Sequence, residues 1–396
     1  MSKRTWLIIA CGGMIVTLVM GTRQSFGLFM RPIALELGLG RELLGLAFGL
    51  QNLVWGALSP FGGALSDRYG EARVSIAGAI LFGLGLVVMG WAPSGGAVIL
   101  AQFLVGLGLG GVGLSTVLGA VGRAATPEKR SMALGIVSAA GSVGQFLVVP
   151  GAQALMEQQG WQFALFVLAG MTFLVLPLSL GLGSARSAAS RRAAQPIKAA
   201  LSEAFASRSF ALLTVGYFVC GFHVVFIAMH LPAYVADKGL AAWVGAAALA
   251  FVGLFNIVGT YTAGWLGGRY SKKNLLAFIY LARSAVFVVF LVAPTTEISV
   301  LVFAGAMGLL WLSTIPLTSG LVAHLFGPAW MSMLYGIVFF SHQIGSFLGS
   351  WLGGKIFDAF GSYDAMWWIC VALGLVAAAL NWPIVERPVA RLQAAS

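Results

Sequence analysis

Long runs of apolar residues, each about the length of a membrane crossing, alternate along the chain with short polar segments. A bilayer core takes about 20 helical residues to cross. Because lipid offers the backbone no hydrogen-bond partner, each run is predicted to be an α-helix. Twelve such runs are predicted, at about 6–30, 43–65, 74–92, 97–122, 131–156, 162–183, 209–235, 242–266, 274–293, 298–324, 331–356 and 364–385. The pattern therefore predicts an all-α integral membrane protein.

One polar interruption divides the predicted spans into two groups of six. Residues 184–208 contain five basic residues and one acidic residue. After Pro196, apolar residues recur every fourth position at Ile197, Leu201 and Phe205, which indicates either a helix on the membrane surface or a solvated linker. The predicted organisation is an N-terminal six-helix bundle at 1–183, a cytoplasmic linker at 184–208 and a C-terminal six-helix bundle at 209–396.

The two halves also repeat each other in sequence. SMALGIVSAAGSVGQFL, which begins at Ser131, matches SMLYGIVFFSHQIGSFL, which begins at Ser332, at an offset of 201 residues. A second stretch matches at the same offset, with Arg68 opposite Arg269. Parallel repeats of this kind place a binding site at their interface, near the middle of the bilayer. The repeat predicts two pseudo-symmetric bundles and favours a transporter.

Composition and charge support this class. Hydrophobic residues make up 59% of the chain and charged residues 9%, against about 25% charged residues in soluble domains. The net charge of +11 does not indicate nucleic-acid binding, because the basic residues are separated by apolar runs. They concentrate on the side that carries both termini, which predicts cytoplasmic termini. We expect a multi-pass protein of a bacterial inner membrane, as a monomer.

Motifs for other kinds of chemistry are few. Cys11, Cys220 and Cys370 lie within apolar runs and lack the spacing of metal ligands, so we expect neither a disulfide nor a metal site. The run from Gly106 to Gly111 matches G-x-G-x-x-G, but it lies inside a predicted span, where small residues allow close helix packing. The sequence predicts no enzyme site and no cofactor, and a membrane enzyme is the least favoured alternative.

The segment GALSDRYGEAR, from Gly63 to Arg73, resembles the signature loop between the second and third helices of the major facilitator superfamily. Together with the repeat and the basic linker, this resemblance covers nearly the whole chain. It implies a cytoplasmic gate in which Asp67, Arg68 and Arg73 latch the two halves. The pieces GTRQSFGLF and GFHVVFIAMHLPAY resemble the bacterial monocarboxylate-transporter-like branch, which moves organic acid anions, often with protons.

Ionisable side chains inside the predicted spans are candidates for function, since a charge at mid-membrane costs at least ~2.5–3.5 kcal/mol. Arg23 lies in the first span and Arg283 in the ninth, whereas the 12 Asp and Glu residues map to loops or helix ends. A buried Arg keeps its proton. We therefore expect the carboxylate of an anionic cargo to pair with Arg23. The alternatives are that Arg23 extends to the outer interface and that Arg283 is structural.

Histidine is the expected proton carrier where no buried carboxylate exists, because its ordinary pKa is ~6.5. An offset of 200 residues pairs His223 with Arg23, which predicts that the two face each other across one cavity. His342 and His230 are the other candidates for coupling transport to a proton gradient. For each histidine the competing interpretation is a hydrogen bond between helices.

The predicted function follows from these residues. It is secondary active transport of a small organic acid anion, a mono- or dicarboxylate, coupled to protons and performed by alternating access. A drug or organic-cation antiporter of the same superfamily is the alternative within transport, and a transporter-like membrane receptor is the alternative outside it. The predicted partners are the carboxylate, protons and the bilayer. The predicted substrate-binding residues are Arg23, Asn52, His223, Asn256, Ser341 and His342.

Overall fold

The computed structural model describes residues 2–125, 130–182, 196–327 and 331–389. Within these ranges every regular element is helical. The helices are α1 (Lys3–Gln24), α2 (Phe26–Leu37), α3 (Arg41–Tyr69), α4 (Glu71–Gly90), α5 (Gly95–Val112), α6 (Leu114–Ala124), α7 (Arg130–Gln159), α8 (Trp161–Phe173), α9 (Val175–Leu180), α10 (Ile197–Ala206), α11 (Arg208–Asp237), α12 (Ala242–Gly267), α13 (Lys272–Val292), α14 (Glu297–Leu310), α15 (Thr314–Phe326), α16 (Met331–Phe360) and α17 (Asp364–Asn381).

These helices make twelve crossings, six in each half. Four crossings consist of two helices joined at a break, namely α1 with α2, α5 with α6, α8 with α9 and α14 with α15. Ten crossings are long and apolar enough to count as membrane spans by length and hydropathy. The other two, α3 and α16, carry polar residues at the centre of the molecule. The predicted twelve-helix, all-α membrane fold is confirmed.

The first crossing is longer than the sequence predicts. It extends from Lys3 to Leu37, whereas the apolar run suggests residues 6–30. The helix breaks at Ser25, directly after Arg23 and Gln24, and all three of these residues are buried between helices. A polar triplet therefore lies inside the crossing.

The two halves meet mainly along three pairs of helices, α3 with α16, α7 with α12 and α2 with α11. We call the side where α1 begins and α17 ends the terminal side, and the opposite side the distal side. Toward the distal side the backbones approach closely, since a Cβ on Gly27 would lie 2.0 Å from the carbonyl oxygen of Ala228. A Cβ on Gly354 would lie equally close to the carbonyl oxygen of Arg41. Only glycine fits at these two contacts between the halves.

Hydrogen bonds connect the halves on both sides of the interface. Gln343 on α16 donates Nε2 to the carbonyl oxygen of Asn52 on α3, at 3.2 Å. On the other side of the interface, Asn256 on α12 donates Nδ2 to Oγ of Ser142 on α7, at 2.9 Å. Gln343 and Ser142 are separated by the repeat offset (343 − 142 = 201). The repeat therefore relates one residue of each contact, whereas their partners Asn52 and Asn256 lie 204 residues apart (256 − 52 = 204).

The fourth and tenth crossings, which occupy equivalent places in the two halves, are both broken. The first break lies at Gly113, between α5 and α6, and the second lies at 311–313, between α14 and α15. Broken helices expose backbone polar groups inside a membrane protein, which is tolerated where other protein groups satisfy them. In the second break, Arg283 and Asn256 provide those partners.

A short helix precedes the C-terminal half. α10 spans Ile197–Ala206, at the position where the sequence indicates a surface helix or a linker. Phe205 is 66% exposed on it. Its location at a membrane surface stays a prediction, and residues 183–195, which include most of the basic part of the linker, lie outside the described residues.

Candidate functional site

Arg23 lies in the last turn of α1, immediately before the break at Ser25, and is 8% exposed. Its guanidinium contacts side chains at the junction of the two halves. Its Nη2 donates to Oδ1 of Asn52 on α3, and its Nη1 donates to Oε1 of Gln24 at 3.1 Å. Nε is buried and has no partner. The acceptors around this cation are neutral amides, and the described ion pairs do not include it.

A chain of hydrogen bonds links Arg23 to the C-terminal half. Asn52 accepts from Arg23 with its side-chain Oδ1 and from Nε2 of Gln343 with its backbone carbonyl oxygen. His342 then donates Nδ1–H to Oε1 of Gln343 at 2.9 Å. The structure thus brings Arg23, Asn52 and His342 into one polar group. Gln343 completes it, a polar residue of the eleventh span that is not among the six predicted substrate-binding residues.

Aromatic rings lie beside this polar group. The guanidinium carbon of Arg23 lies 5.1 Å from the ring centroid of Trp55. Trp55 contacts Phe339 edge-on at 5.4 Å, and Phe339 is stacked on His342 at 5.6 Å. Tyr335 lies 6.4 Å from Phe339. We call Trp55, Phe339 and Tyr335, which are all partly exposed, the aromatic panel.

Two further residues of the predicted pocket lie away from Arg23. Asn256 holds α7 through Ser142, and its Oδ1 accepts from the backbone N–H of Leu312 at 3.0 Å. Ser341 donates Oγ to the carbonyl oxygen of Thr214, on α11 of its own half, at 2.9 Å. Both side chains therefore make contacts between helices. A role for either in substrate binding stays a prediction.

His223 does not face Arg23, contrary to the prediction from the 200-residue offset. It is fully buried, its Nε2 donates to the carbonyl oxygen of Cys370 on α17 at 2.8 Å, and its ring lies edge-on to Phe287 on α13 at 5.0 Å. The reason is geometric. α11 is continuous through this region, whereas α1 ends beside Arg23, so equal depth in the repeat does not give equal direction around the helix axis. His223 lies inside the C-terminal bundle.

His230 belongs to a cluster near the distal side. Its Nε2 donates to the carbonyl oxygen of Ser350 at 2.7 Å, which leaves Nδ1 to accept from the hydroxyl of Tyr363 at 3.0 Å. The Tyr363 oxygen in turn accepts from Nη1 of Arg41 at 3.0 Å. Burial, above all, raises the pKa of the Tyr363 phenol. Tyr363 therefore stays protonated and connects His230 to an arginine of the other half.

Arg41 and Asp237 form a bidentate ion pair at the distal side. Arg41 begins α3 in the N-terminal half, and Asp237 ends α11 in the C-terminal half. Nη1 of Arg41 donates to Oδ2 of Asp237, and Nη2 donates to Oδ1 at 2.8 Å. Asp358, at the end of α16, accepts from the backbone N–H groups of Arg41 and Glu42 at 2.9 and 2.7 Å. We call Arg41, Asp237 and Asp358 the distal latch.

No sequence pattern predicts the distal latch. Its members are charged residues at the ends of apolar runs, where charged residues are common. Their placement on the same side of the membrane follows from the helix count. Their pairing across the two halves does not.

The predicted gate of the terminal side is described only in part. Asp67 and Arg68 lie in the last turns of α3, and their side chains lie outside the described part of the structure. Arg73 lies in the first turn of α4 and is exposed. The latch that the family resemblance implies for these three residues stays a prediction.

Arg283 is completely buried inside the C-terminal bundle. Its Nη2 donates to the carbonyl oxygens of Leu310 and Trp311, at 2.7 and 2.6 Å, at the end of α14. A cation beside the unpaired carbonyls of a helix end is favourable because the helix dipole is negative there. This contact supports the structural interpretation of Arg283.

Two six-helix bundles that meet at a buried polar centre define a membrane transporter of the repeat-built kind. The chain belongs to the Major Facilitator Superfamily, whose family model matches residues 9–347. Solved structures share the fold. A D-xylose–proton symporter superposes with a TM-score of 0.77 at 17% identity, covering 96% of this chain and 97% of that one.

Relatives by sequence are named as transporters. The "uncharacterized MFS-type transporter YcxA" of Bacillus subtilis is 26% identical and covers 93% of this chain and 92% of its own. Monocarboxylate transporter 11 of Mus musculus is 27% identical over 92% and 84%. The oxalate:formate antiporter of Oxalobacter formigenes is 20% identical over 96% and 92%. The protein is thus a membrane-embedded transporter of small molecules and not an enzyme.

Proposed function

We propose that this transporter moves small organic acid anions, mono- or dicarboxylates, together with protons and by alternating access. The proton gradient is the driving force, and no cofactor is needed. The proposed setting is a bacterial inner membrane, with both termini in the cytoplasm and the chain as a monomer.

The observation that carries the proposal is the environment of Arg23. Its guanidinium is buried at the junction of the halves, is held by the amides of Asn52 and Gln24, and has a free Nε–H. A buried charge without a counter-charge is costly. A carboxylate matches the fork of donors on an arginine, and such charge-assisted bonds are about twice as strong as neutral ones. An acid anion therefore supplies what the polypeptide does not place there.

The named relatives support the same class of cargo. The names of two of them specify monocarboxylates in one case and oxalate and formate in the other. All of these are organic acids. At 20–27% identity the particular acid does not transfer to this chain, so the cargo class rests on the names together with the environment of Arg23.

His342 is the strongest candidate for the coupled proton. It shares the hydrogen-bonded chain that begins at Arg23 and is 7% exposed. Histidine is the side chain whose ordinary charge change falls between about pH 5 and 8. His230 is the second candidate, at the distal side. His223, within the C-terminal bundle, is the third.

The experiment is an accumulation assay in proteoliposomes with an imposed pH gradient. We expect organic acids to accumulate when the external solution is acidic and organic cations not to accumulate. Accumulation of cations driven by the opposite gradient would favour the antiporter alternative. Binding of acids without any accumulation would favour a receptor.

A further inference from the structure

We propose that the cargo is an aromatic monocarboxylate, whose ring lies on the aromatic panel while its carboxylate pairs with Arg23. This inference rests on the proposed function and specifies its substrate class. It depends on three features of the described residues, namely the position of the panel, its exposure and the arrangement of charge around it.

The panel begins directly beside the cation. The ring centroid of Trp55 lies 5.1 Å from the guanidinium carbon of Arg23, and that of Phe339 lies 5.4 Å further on. The first distance is that of a cation–π contact, and the second lies within the range preferred by neighbouring aromatic rings. A ring attached to its carboxylate directly or through one or two carbon atoms would therefore reach the panel while the carboxylate contacts Arg23.

The panel differs from the aromatic core of the C-terminal bundle. Trp311 and Trp367 are at most 1% exposed, and Trp367 packs among other rings, for example against Phe226 at 4.8 Å. Trp55 and Phe339, in contrast, are only partly buried and project from α3 and α16, the two polar crossings. Rings that served only to fill the interior would be expected to resemble the first group.

The panel also belongs to both halves. Trp55 is part of the N-terminal half, and Phe339 and Tyr335 are part of the C-terminal half. Tyr335 continues toward Tyr217 on α11, with 3.1 Å between the two hydroxyl oxygens. A ring lying here would touch both bundles at once. Its binding would depend on their relative position, as alternating access requires of a cargo.

The arrangement of charge favours one carboxylate over two. Arg23 is the described arginine beside the panel, because Arg41 pairs with Asp237 at the distal side and Arg283 points to the carbonyls of Leu310 and Trp311. A second carboxylate on the cargo would lie against the apolar panel, where a desolvated charge is unfavourable. An apolar ring at that place is compatible with the surface.

The test compares two acids of similar shape that differ in aromaticity. Dissociation constants of benzoate and cyclohexanecarboxylate are measured by calorimetry on the purified full-length protein, with acetate as the small reference acid. Aromatic pairs contribute beyond their buried area. We therefore expect benzoate to bind about three- to tenfold more tightly than cyclohexanecarboxylate. Equal affinities, or tighter binding of cyclohexanecarboxylate, would overturn the inference.

A matched pair of variants locates the preference. Phe339→Leu removes a ring of the panel and is expected to bring the two affinities within about twofold of each other. Phe347→Leu removes a ring from the same helix, where Phe347 packs on Trp351 at 5.9 Å, outside the panel, and is expected to keep the ratio. An unchanged ratio in Phe339→Leu, with both proteins folded by circular dichroism, would place the aromatic preference elsewhere and contradict the proposal.

Failure of this inference can be told from failure of the proposed function. If acids bind and Arg23→Ala weakens all of them while benzoate has no advantage, the protein is an acid transporter without an aromatic preference. If none of the three acids binds, or Arg23→Ala binds them normally, the role of Arg23 in the proposed function is itself wrong.

Discussion

Arg41 and Asp237 form a bidentate ion pair between the beginning of α3 and the end of α11. This ion pair connects the two halves of the protein. The Arg41 side chain is 10% exposed and that of Asp237 is 27% exposed. The Arg41 guanidinium also lies 3.8 Å from the ring centroid of Phe357 on α16. The distal side is therefore closed by a charged contact that is largely withdrawn from solvent, and this contact has to separate if that side opens.

Removing one partner of the distal latch should favour separation of the distal ends. Arg41→Ala leaves the Asp237 carboxylate partly buried without its main partner, so we expect the closed form to lose about 1–3 kcal/mol. The measurement is the distance between spin labels at Leu35 and Phe360, which are 71% and 75% exposed and lie on different halves. The distance distribution should shift to longer values.

The charge exchange Arg41→Asp with Asp237→Arg is the control for that experiment. If the pair itself closes the distal side, the exchange restores part of the short-distance population. The exposed pair of Lys355 with Glu42, at 3.8 Å, offers a matched comparison, and Lys355→Ala should change the distribution little. Identical distributions in the original protein and in Arg41→Ala would show that glycine packing alone closes this side.

Arg23 should determine acid affinity. Arg23→Ala removes the fixed positive charge at the junction of the halves, and we expect the affinity for a carboxylate to fall by about 10- to 100-fold. Arg23→Lys keeps the charge but loses the fork of donors, so it should bind with intermediate affinity. The exposed Arg269, which lies over Trp265, provides the control, since Arg269→Ala should bind acids normally.

His342 should govern the pH dependence of transport. In His342→Gln the amide preserves hydrogen bonding but cannot carry a proton, so we expect uptake to lose most of its dependence on external acidity. His324→Gln alters an exposed histidine and should leave the profile intact. A normal profile in His342→Gln together with a flattened one in His230→Gln would transfer the coupling role to the distal cluster.

Arg283 should affect stability more than binding. Arg283→Met leaves the carbonyl oxygens of Leu310 and Trp311 without their donor inside the bundle, at an expected cost of about 1–3 kcal/mol in unfolding free energy. Thermal unfolding in detergent measures this loss, and Arg283→Lys should recover part of it. If Arg283→Met instead kept the unfolding temperature and abolished acid binding, Arg283 would belong to the substrate site.

The sequence predicts the crossings well because their signal is local. Each apolar run predicts a helix that crosses the lipid, and the shared 201-residue offset indicates that the two halves are repeats. The breaks are less visible. Gly113 indicates the one in the fourth crossing, but the break at 311–313 contains neither glycine nor proline and depends on Arg283 and Asn256, which are distant in sequence.

Side-chain direction is the information that the sequence lacks. The placement of Arg23 at the centre follows from the cost of a charge in lipid, and it agrees with the structure. The pairing with His223 fails because a break after α1 changes the rotation of that crossing relative to the continuous α11. The pairing of Arg41 with Asp237 could not be predicted, since it depends on which face of each helix end turns to the other half.

Gln24 and Asn52, whose side-chain oxygens accept hydrogen bonds from Arg23, are each linked by hydrogen bonds to the C-terminal half. The amide of Gln24 donates to Gln145 on α7 at 3.0 Å, and Gln145 continues to the carbonyl oxygen of Leu249 on α12. An arriving anion would compete with these two amides for the same donors. Binding of the cargo would then exchange internal hydrogen bonds that connect the two bundles for hydrogen bonds to the anion. A transporter without cargo would therefore resist reorientation more than one with cargo bound.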